Sequence, residues 1–426
     1  MQTIKEHGWV FLLLLATAFL AFGKLMNTPL WDPIDATILC EAHSLVKDPL
    51  AMFQHIGFYF SQPLLQLAFL LEYYFFGLNP TGYIAVNLMI HAFNSFVVYM
   101  LVHMLFHRRP MSVLAAMLFA LGVGSYGKIF MGVHHLESLL LAGLHMLVLY
   151  FFIRNDFRRD GSIRSSLFLI GLGLFLLTGL TRTASFSLLL TLIAYKAFFF
   201  KWRRGRAILS KDLLVFTLVG ALFYWAQYHW GYRQPTIFDN EGPMENFSWM
   251  SIKNMFRYLT LMFFPLQQSP ILAEANALVT GLFQARTFIR FALTLAIISY
   301  SFFGFVFGSK AIRFFIAWTY ITLLPFSGHT AAGDWMNLSH LYLTSLGFCV
   351  ILAAGTRGTC RLLRKAGIRR FIPYLVPLAF AMASVGLAHL LDQQHVRAAA
   401  QPKAVAMREQ MGQACTRLPV RFQEQP

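Results

Sequence analysis

Apolar runs of roughly 16 to 25 residues recur along this chain between short polar segments, and runs of that length cross about 30 Å of hydrocarbon as helices. In order, the runs over 9–22, 83–106, 111–131, 139–153, 167–180, 184–200, 213–230, 288–307, 314–326, 341–354 and 371–391 predict about eleven transmembrane helices. Two further apolar stretches, 64–76 and 252–264, are short, and the first is interrupted by Glu72. They predict helices that lie in the membrane interface or dip into it. Between 77 and 82 the sequence Gly-Leu-Asn-Pro-Thr-Gly predicts a turn. The short alternating segments of a transmembrane barrel are missing. The pattern therefore predicts an all-α polytopic membrane protein with interfacial helices in its outer loops.

Charge orients this pattern. Hydrophobic residues make up 57% of the 426 residues, charged residues 12%, and mean hydropathy is +0.58. Soluble domains carry about 25% charged residues. The net charge of +17 does not point to nucleic acid, because the basic residues sit in clusters between apolar runs. Lys5, then Arg108 and Arg109, Arg154 to Arg164, Lys201 to Arg206, Lys310 and Arg313, and the run 357–370 mark successive cytoplasmic segments. The N-terminus is then expected inside and the C-terminus outside, with residues 1–23 retained as a first helix rather than cleaved. Of the 18 acids, Glu6, Asp156, Asp160 and Asp212 fall inside, so the chemistry is expected at the outer face. Residues 1–391 form the polytopic domain, and 392–426 an outer polar tail that is poorly ordered or marginally helical. The four cysteines show no metal spacing. Cys40 and Cys415 can both face an oxidising compartment and pair, with free thiols the expectation.

Four outer clusters can carry chemistry. The segment 30–63 holds Asp32 and Asp35 beside Trp31. A carboxylate at an apolar boundary can act as a general base. It can equally cap a helix, since Pro33 after Asp32 suits a first helical position. If the pair is catalytic rather than a cap, Asp35, one turn in, is the base, and Asp32 takes a supporting or metal-binding role. The second cluster is His134, His135 and Glu137. Adjacent histidines do not share a helical face, so this is no helical zinc pair. One of them with Glu137 can bind a metal or orient a substrate, or the group is an interfacial turn. Arg182 forms the third, with Lys128 at an outer helix end. Arginine binds phosphate bidentately, while a solitary one can also snorkel to the interface. The fourth is His329, Asp334, Trp335 and His340, with Arg233, Lys253 and Arg257 on the same side. Outer cations run against the positive-inside trend, and an anionic ligand accounts for them. The pattern demands no cofactor and leaves a divalent metal open.

The segment Phe76-Gly77-Leu78-Asn79-Pro80-Thr81-Gly82-Tyr83, continuing through Val86-Asn87-Leu88 and His91 to Asn94, resembles a known family. These are the GT-C membrane glycosyltransferases, in particular the bacterial relatives of the transmembrane TPR-containing O-mannosyltransferases. Leu341-Tyr342-Leu343-Thr344-Ser345-Leu346-Gly347-Phe348 and Ser61-Gln62-Pro63-Leu64 extend the likeness, which covers most of 25–355. The resemblance implies an outer-face active site that uses a polyprenyl-phosphate sugar, with the acidic residues at Asp32 and Asp35 and the basic residue after the fifth span at Arg182. The chain departs from the family in the three-residue spacing of those acids. It departs again in Gln62 where the family has Arg, and in Ser339-His340 where it has Arg-Tyr. No TPR array follows 391.

The expected function is an inverting glycosyltransferase that moves a sugar from a polyprenyl-phosphate donor to a glycan, lipid or protein acceptor outside a bacterial inner membrane. Asp35 and Asp32 are the expected catalytic pair, and Arg182, Lys128 and Arg257 the donor-phosphate ligands. Gln62, His134, His135, Glu137 and His340 are the expected substrate-site residues. A carrier-lipid or glycolipid transporter, or a non-catalytic glycolipid-binding homologue, is the alternative. A transporter should hold charges at mid-membrane, whereas these charges sit mostly at helix ends.

Overall fold

The computed structural model describes residues 2–27, 33–47, 63–122, 129–130, 132–157, 163, 165–179, 186–199, 210–229, 249–263, 282–327, 338–365 and 372–399. Among these residues there is no strand. The helices are α1 (Gln2–Phe22), α2 (Pro33–Lys47), α3 (Pro63–Phe76), α4 (Pro80–Phe106), α5 (Arg109–Leu121), α6 (Leu136–Asp156), α7 (Ser166–Gly179), α8 (Phe186–Phe199), α9 (Lys211–His229), α10 (Trp249–Phe263), α11 (Leu282–Phe307), α12 (Lys310–Ser327), α13 (Leu341–Lys365) and α14 (Leu375–Ala399). The stretches His7–Asn27, Pro80–Phe106, Leu136–Asp156 and Leu341–Lys365 are long and apolar enough to cross a bilayer by themselves. Others fall short of the runs that predicted them. α5 has 13 residues, about 20 Å of helix, where 111–131 predicted a full span.

Several boundaries move for local reasons. α4 starts at Pro80, within the predicted turn, because the Asn79 side chain accepts a hydrogen bond from the Thr81 N–H at 3.1 Å and caps the helix. Gly77 makes the reversal between α3 and α4 at φ +55°, a conformation that favours glycine. α13 does not stop near 354 but runs on through the basic residues to Lys365, since Arg, Lys and Leu sustain a helix and its last-turn cations offset the dipole. α14 likewise passes 391 and reaches Ala399. Cys40 is disulfide-bonded, which corrects the expectation of a free thiol. Cys349 and Cys360 carry thiols, and Cys415 lies outside the described residues.

α4 is the hub. It packs on α1, α5 and α6, while α13 packs on α5 and α12, and α12 on α8. Its buried face carries polar residues at 87, 91 and 94, a helical i, i+4, i+7 stripe. His91 donates through Nε2 to the Ala120 carbonyl at 2.9 Å, so its Nδ1 accepts from the Tyr342 hydroxyl, also at 2.9 Å. Asn94 Nδ2 donates to Leu139 O at 2.9 Å and to Tyr342 Oη at 3.1 Å. These bonds tie α4 to the end of α5, to α6 and to α13. Buried between apolar helices, such groups fix a unique arrangement because leaving any one unmade is costly. At Gly347 of α13 a side chain would overlap Thr319 and the Phe315 carbonyl of α12. The absent Cβ lets these helices close up.

Away from Glu137, at the other end of α6, the Lys196 ammonium is 2% exposed. It donates to Asp156 Oδ1 at 2.6 Å and pairs with Asp212 Oδ2 at 2.9 Å. Tyr195 Oη adds a bond to Asp156 Oδ2 at 3.3 Å. Two of the four expected inner acids thus clamp α6, α8 and α9 around one lysine. The outward faces of the bundle are apolar, with Leu20 88%, Phe307 77% and Val376 63% exposed, as suits contact with lipid.

Candidate functional site

The site is built on α2, which starts at Pro33 as the sequence predicts and carries Asp35 in its first turn. There a carboxylate is favoured by the helix dipole. Positions 35, 38, 39 and 42 share one face, and Ile38, Leu39 and Ala42 pack with Leu65 and Phe69 of α3, Tyr83 of α4, Val133 and Leu136. Asp35 lies on that same face and is 1% exposed. Burial of a carboxyl demands partners, and the turn before α6 supplies them. Asp35 Oδ1 accepts from the His134 main-chain N–H at 3.1 Å and lies 2.7 Å from His134 Nδ1. Oδ2 is buried with no hydrogen-bond donor among the described residues.

The turn itself is held from α4. Asn87 Nδ2 donates to the Gly132 carbonyl at 3.2 Å, and Asn87 Oδ1 is a second buried acceptor with no donor among the described residues. A Cβ at Gly132 would stand 2.9 Å from the His134 ring and 3.0 Å from Asp35 Oδ2. Glycine here leaves the space beside Oδ2 open. His135 stands against His134, ring centroids 3.9 Å apart, and Glu137 begins α6 in its first turn.

α3 also braces α2 further along. Tyr73 Oη is hydrogen-bonded to His43 Nδ1 at 3.1 Å. Glu72 is buried, neither carboxylate oxygen has a partner among the described residues, and burial pushes its pKa up to about 8 from an ordinary value of 4.5. Below pH 4.5 the group is neutral folded and unfolded. Between those values the unfolded chain gives up a proton that the folded chain keeps, so stability falls as pH rises through the window. Thermal unfolding of the full chain in detergent is therefore expected to show a lower Tm at pH 9 than at pH 5. Glu72→Gln should raise the pH 9 value by several degrees and flatten the dependence. An unchanged pH 9 value would mean that water reaches Glu72.

A second group lies on α10, α12 and the turn before α13. His340 stacks on Phe326 with centroids 4.1 Å apart and an interplanar angle of 12°. Its Nδ1 is 3.3 Å from the Tyr258 hydroxyl. Arg257 precedes Tyr258, and Asn254 Nδ2 donates to Ser327 O at 3.2 Å, anchoring α10 to the end of α12. Beyond that anchor Leu259 and Met262 line an apolar cavity of about 430 Å³ with Ile297, Thr319 and Phe348. The helix predicted over 252–264 thus packs on α11, α12 and α13. Tyr342, two residues after His340, connects this group through His91 and Asn94 to the helix that holds Gly132.

Of the residues expected from sequence, the structure brings Asp35 and His134 together, with His135 beside them, and seats His340 by Tyr258 next to Arg257. Asp32, Gln62, Lys128 and Arg182 lie outside the described residues. Among the described residues no three His, Cys, Asp or Glu gather into a metal site. Sequence reasoning missed Gly132, Tyr258 and Tyr342. The polar residues in the Asn87 to Asn94 motif were the available signal for the α4 stripe.

The fold has known counterparts. Two oligosaccharyltransferase structures from Archaeoglobus fulgidus match, the first of them of AglB. The complex with an inhibitory peptide and a dolichol-phosphate gives a TM-score of 0.50 at 14% identity over 96% of this chain. The apo form gives 0.52 at 14% identity over 95%. This chain spans 60% and 59% of those chains. ArnT from Cupriavidus metallidurans, in the apo state, gives 0.49 at 16% identity, with 96% of this chain and 77% of that one covered. The chain thus shares its fold with the matching part of those oligosaccharyltransferase chains. No protein-family model matches the chain, and neither does any curated protein.

Proposed function

We propose that this protein is an inverting glycosyltransferase that moves a sugar from a polyprenyl-phosphate donor to an acceptor hydroxyl at the outer membrane face. The observation that carries the reading is the buried Asp35 carboxylate, with one oxygen engaged by His134 and the other without a donor among the described residues, in a fold shared with an oligosaccharyltransferase. Hydroxyls are poor nucleophiles, so transfer needs a base within hydrogen-bond reach. The acceptor oxygen forms the new bond to the anomeric carbon as the bond to phosphate breaks. The polyprenyl phosphate leaves with that electron pair, and Asp35 Oδ2 takes the hydroxyl proton. One displacement inverts the anomeric centre. Two buried acceptors, Asp35 Oδ2 and Asn87 Oδ1, suit a ligand that donates hydroxyl hydrogens. The disulfide at Cys40 on α2 suits an oxidising compartment. It supports placing α2 outside, and about eleven spans with the C-terminus outside a bacterial inner membrane belong to the same proposal.

In this reading Arg182, Lys128 and Arg257 bind the donor phosphate, and Asp32 supports Asp35. The acceptor is a glycan, lipid or protein. The test is transfer or hydrolysis by the purified full chain in proteoliposomes, supplied with a panel of radiolabelled polyprenyl-phosphate hexoses and pentoses. Arg182→Ala should raise the donor KM by about tenfold or more, because a charge-assisted bidentate pair is lost. Arg182→Lys should recover only part of this, a lysine being a point charge without the fork. A donor KM unchanged in Arg182→Ala would leave that residue to snorkelling, and a wild type that turns over no member of the panel would sink the transferase reading.

A further inference from the structure

We propose that the turn from Gly132 to His134 is a positioning device for Asp35, in which His134 holds Oδ1 so that Oδ2 is the oxygen presented to the acceptor hydroxyl. This rests on the reading of Asp35 as the base. A carboxylate turns easily about its last torsion, which is broad and roughly two-fold, and a base that turns loses its alignment with the proton it must take. Here the torsion is fixed from one side. The His134 main-chain N–H and ring Nδ1 converge on a single oxygen at 3.1 and 2.7 Å. Both are donors when Nδ1 carries its proton, and the bond to a carboxylate is then charge-assisted. His134 gives up no proton during transfer; the acceptor's proton ends on Oδ2.

The rest of the turn serves the same end. Gly132 has no Cβ at the one place where it would stand 3.0 Å from Oδ2 and 2.9 Å from the imidazole, so ligand and ring both have room. Asn87 fixes the Gly132 carbonyl from α4. Val133, buried among α2, α3 and α4, seats the turn in the same small core that carries Asp35. The carboxylate and its clamp are 99 residues apart in sequence, yet they are packed as one unit.

The experiment uses the full chain in proteoliposomes with whichever polyprenyl-phosphate sugar the wild type turns over. His134→Ala keeps the main-chain donor and loses the ring, and should lower kcat by about 10- to 30-fold with the donor KM within about twofold, as expected for a loosened reacting group. His134→Asn returns a donor near the place of Nδ1 and should come within about threefold of wild type, while His134→Gln, whose amide sits one atom further on, should lag it by about fivefold. Since His134 acts through Asp35, Asp35→Asn with His134→Ala should be no slower than Asp35→Asn alone. If His134→Ala fails to fold, the Asn and Gln variants decide. Losses that multiply in the double variant, or equal rates for Asn and Gln, overturn the positioning role while leaving Asp35 as base. Wild-type turnover by Asp35→Asn overturns the base assignment itself, and an inactive wild type overturns the transferase reading.

Discussion

Asp35→Asn should lower the transfer rate by about 10²- to 10⁴-fold, the usual size of a general-base contribution, while leaving Tm and expression near wild type. The amide is nearly isosteric with the carboxylate. Its oxygen can still accept from the His134 N–H and Nδ1, so the clamp and the small core around it survive. What is lost is the oxygen able to take a proton. The amide also places an NH2 where Oδ2 stood, turning an acceptor toward the ligand into a donor. The loss should fall on kcat, because removing the base raises the barrier to chemistry more than it weakens donor binding. Asp32→Asn should show the reverse balance, with more loss of stability than of turnover, since Asp32 precedes the helix start at Pro33. Transfer at the wild-type rate by Asp35→Asn would shift the base to Asp32 or Glu137.

Most of the helices were legible because their signal is local. Apolar runs, the Pro33 start, the breaks at 77–80 and the shortness of the 64–76 stretch each act within one or two turns. Asp35 was legible for the same reason, standing one turn into the helix that starts at Pro33. The partners were not. No periodicity within either segment tells that His134 meets Asp35, that Asn87 holds Gly132, or that Tyr258 meets His340, because tertiary packing sets those distances. The motif around Asn87, His91 and Asn94 marked the right residues but not their reason, which is to tie one helix to the end of α5, to α6, to α13 and to the turn beneath Asp35. Helix ends strayed where polar residues are also good helix formers, as in the basic run of α13. Lys196 was hidden differently, as a single charge inside the apolar run 184–200, absorbed into a predicted span although it is the centre of an ion cluster.

That cluster gives the largest expected effect on stability. Lys196→Met should cost the folded state roughly 3–5 kcal/mol, the size expected when one partner of a buried pair is removed. The lysine is 2% exposed and stands 2.6 and 2.9 Å from two carboxylates. Methionine fills much of its volume, so the cost is not a cavity. It is the two aspartates left facing each other without a cation, with Asp212 largely buried. The triple variant Asp156→Asn, Lys196→Met, Asp212→Asn removes the stranded charges and should recover most of the loss, since replacing a whole buried ion cluster by neutral groups is often close to neutral. Thermal unfolding in detergent measures both. Transfer per folded molecule should hardly change in the triple variant, because Asp156 lies 19 residues along α6 from Glu137, about 28 Å of helix, and effects that far apart are usually additive. An unaltered Tm in Lys196→Met would mean that water or lipid phosphate replaces the lysine. A folded triple variant that had lost transfer would mean that the two ends of α6 are coupled.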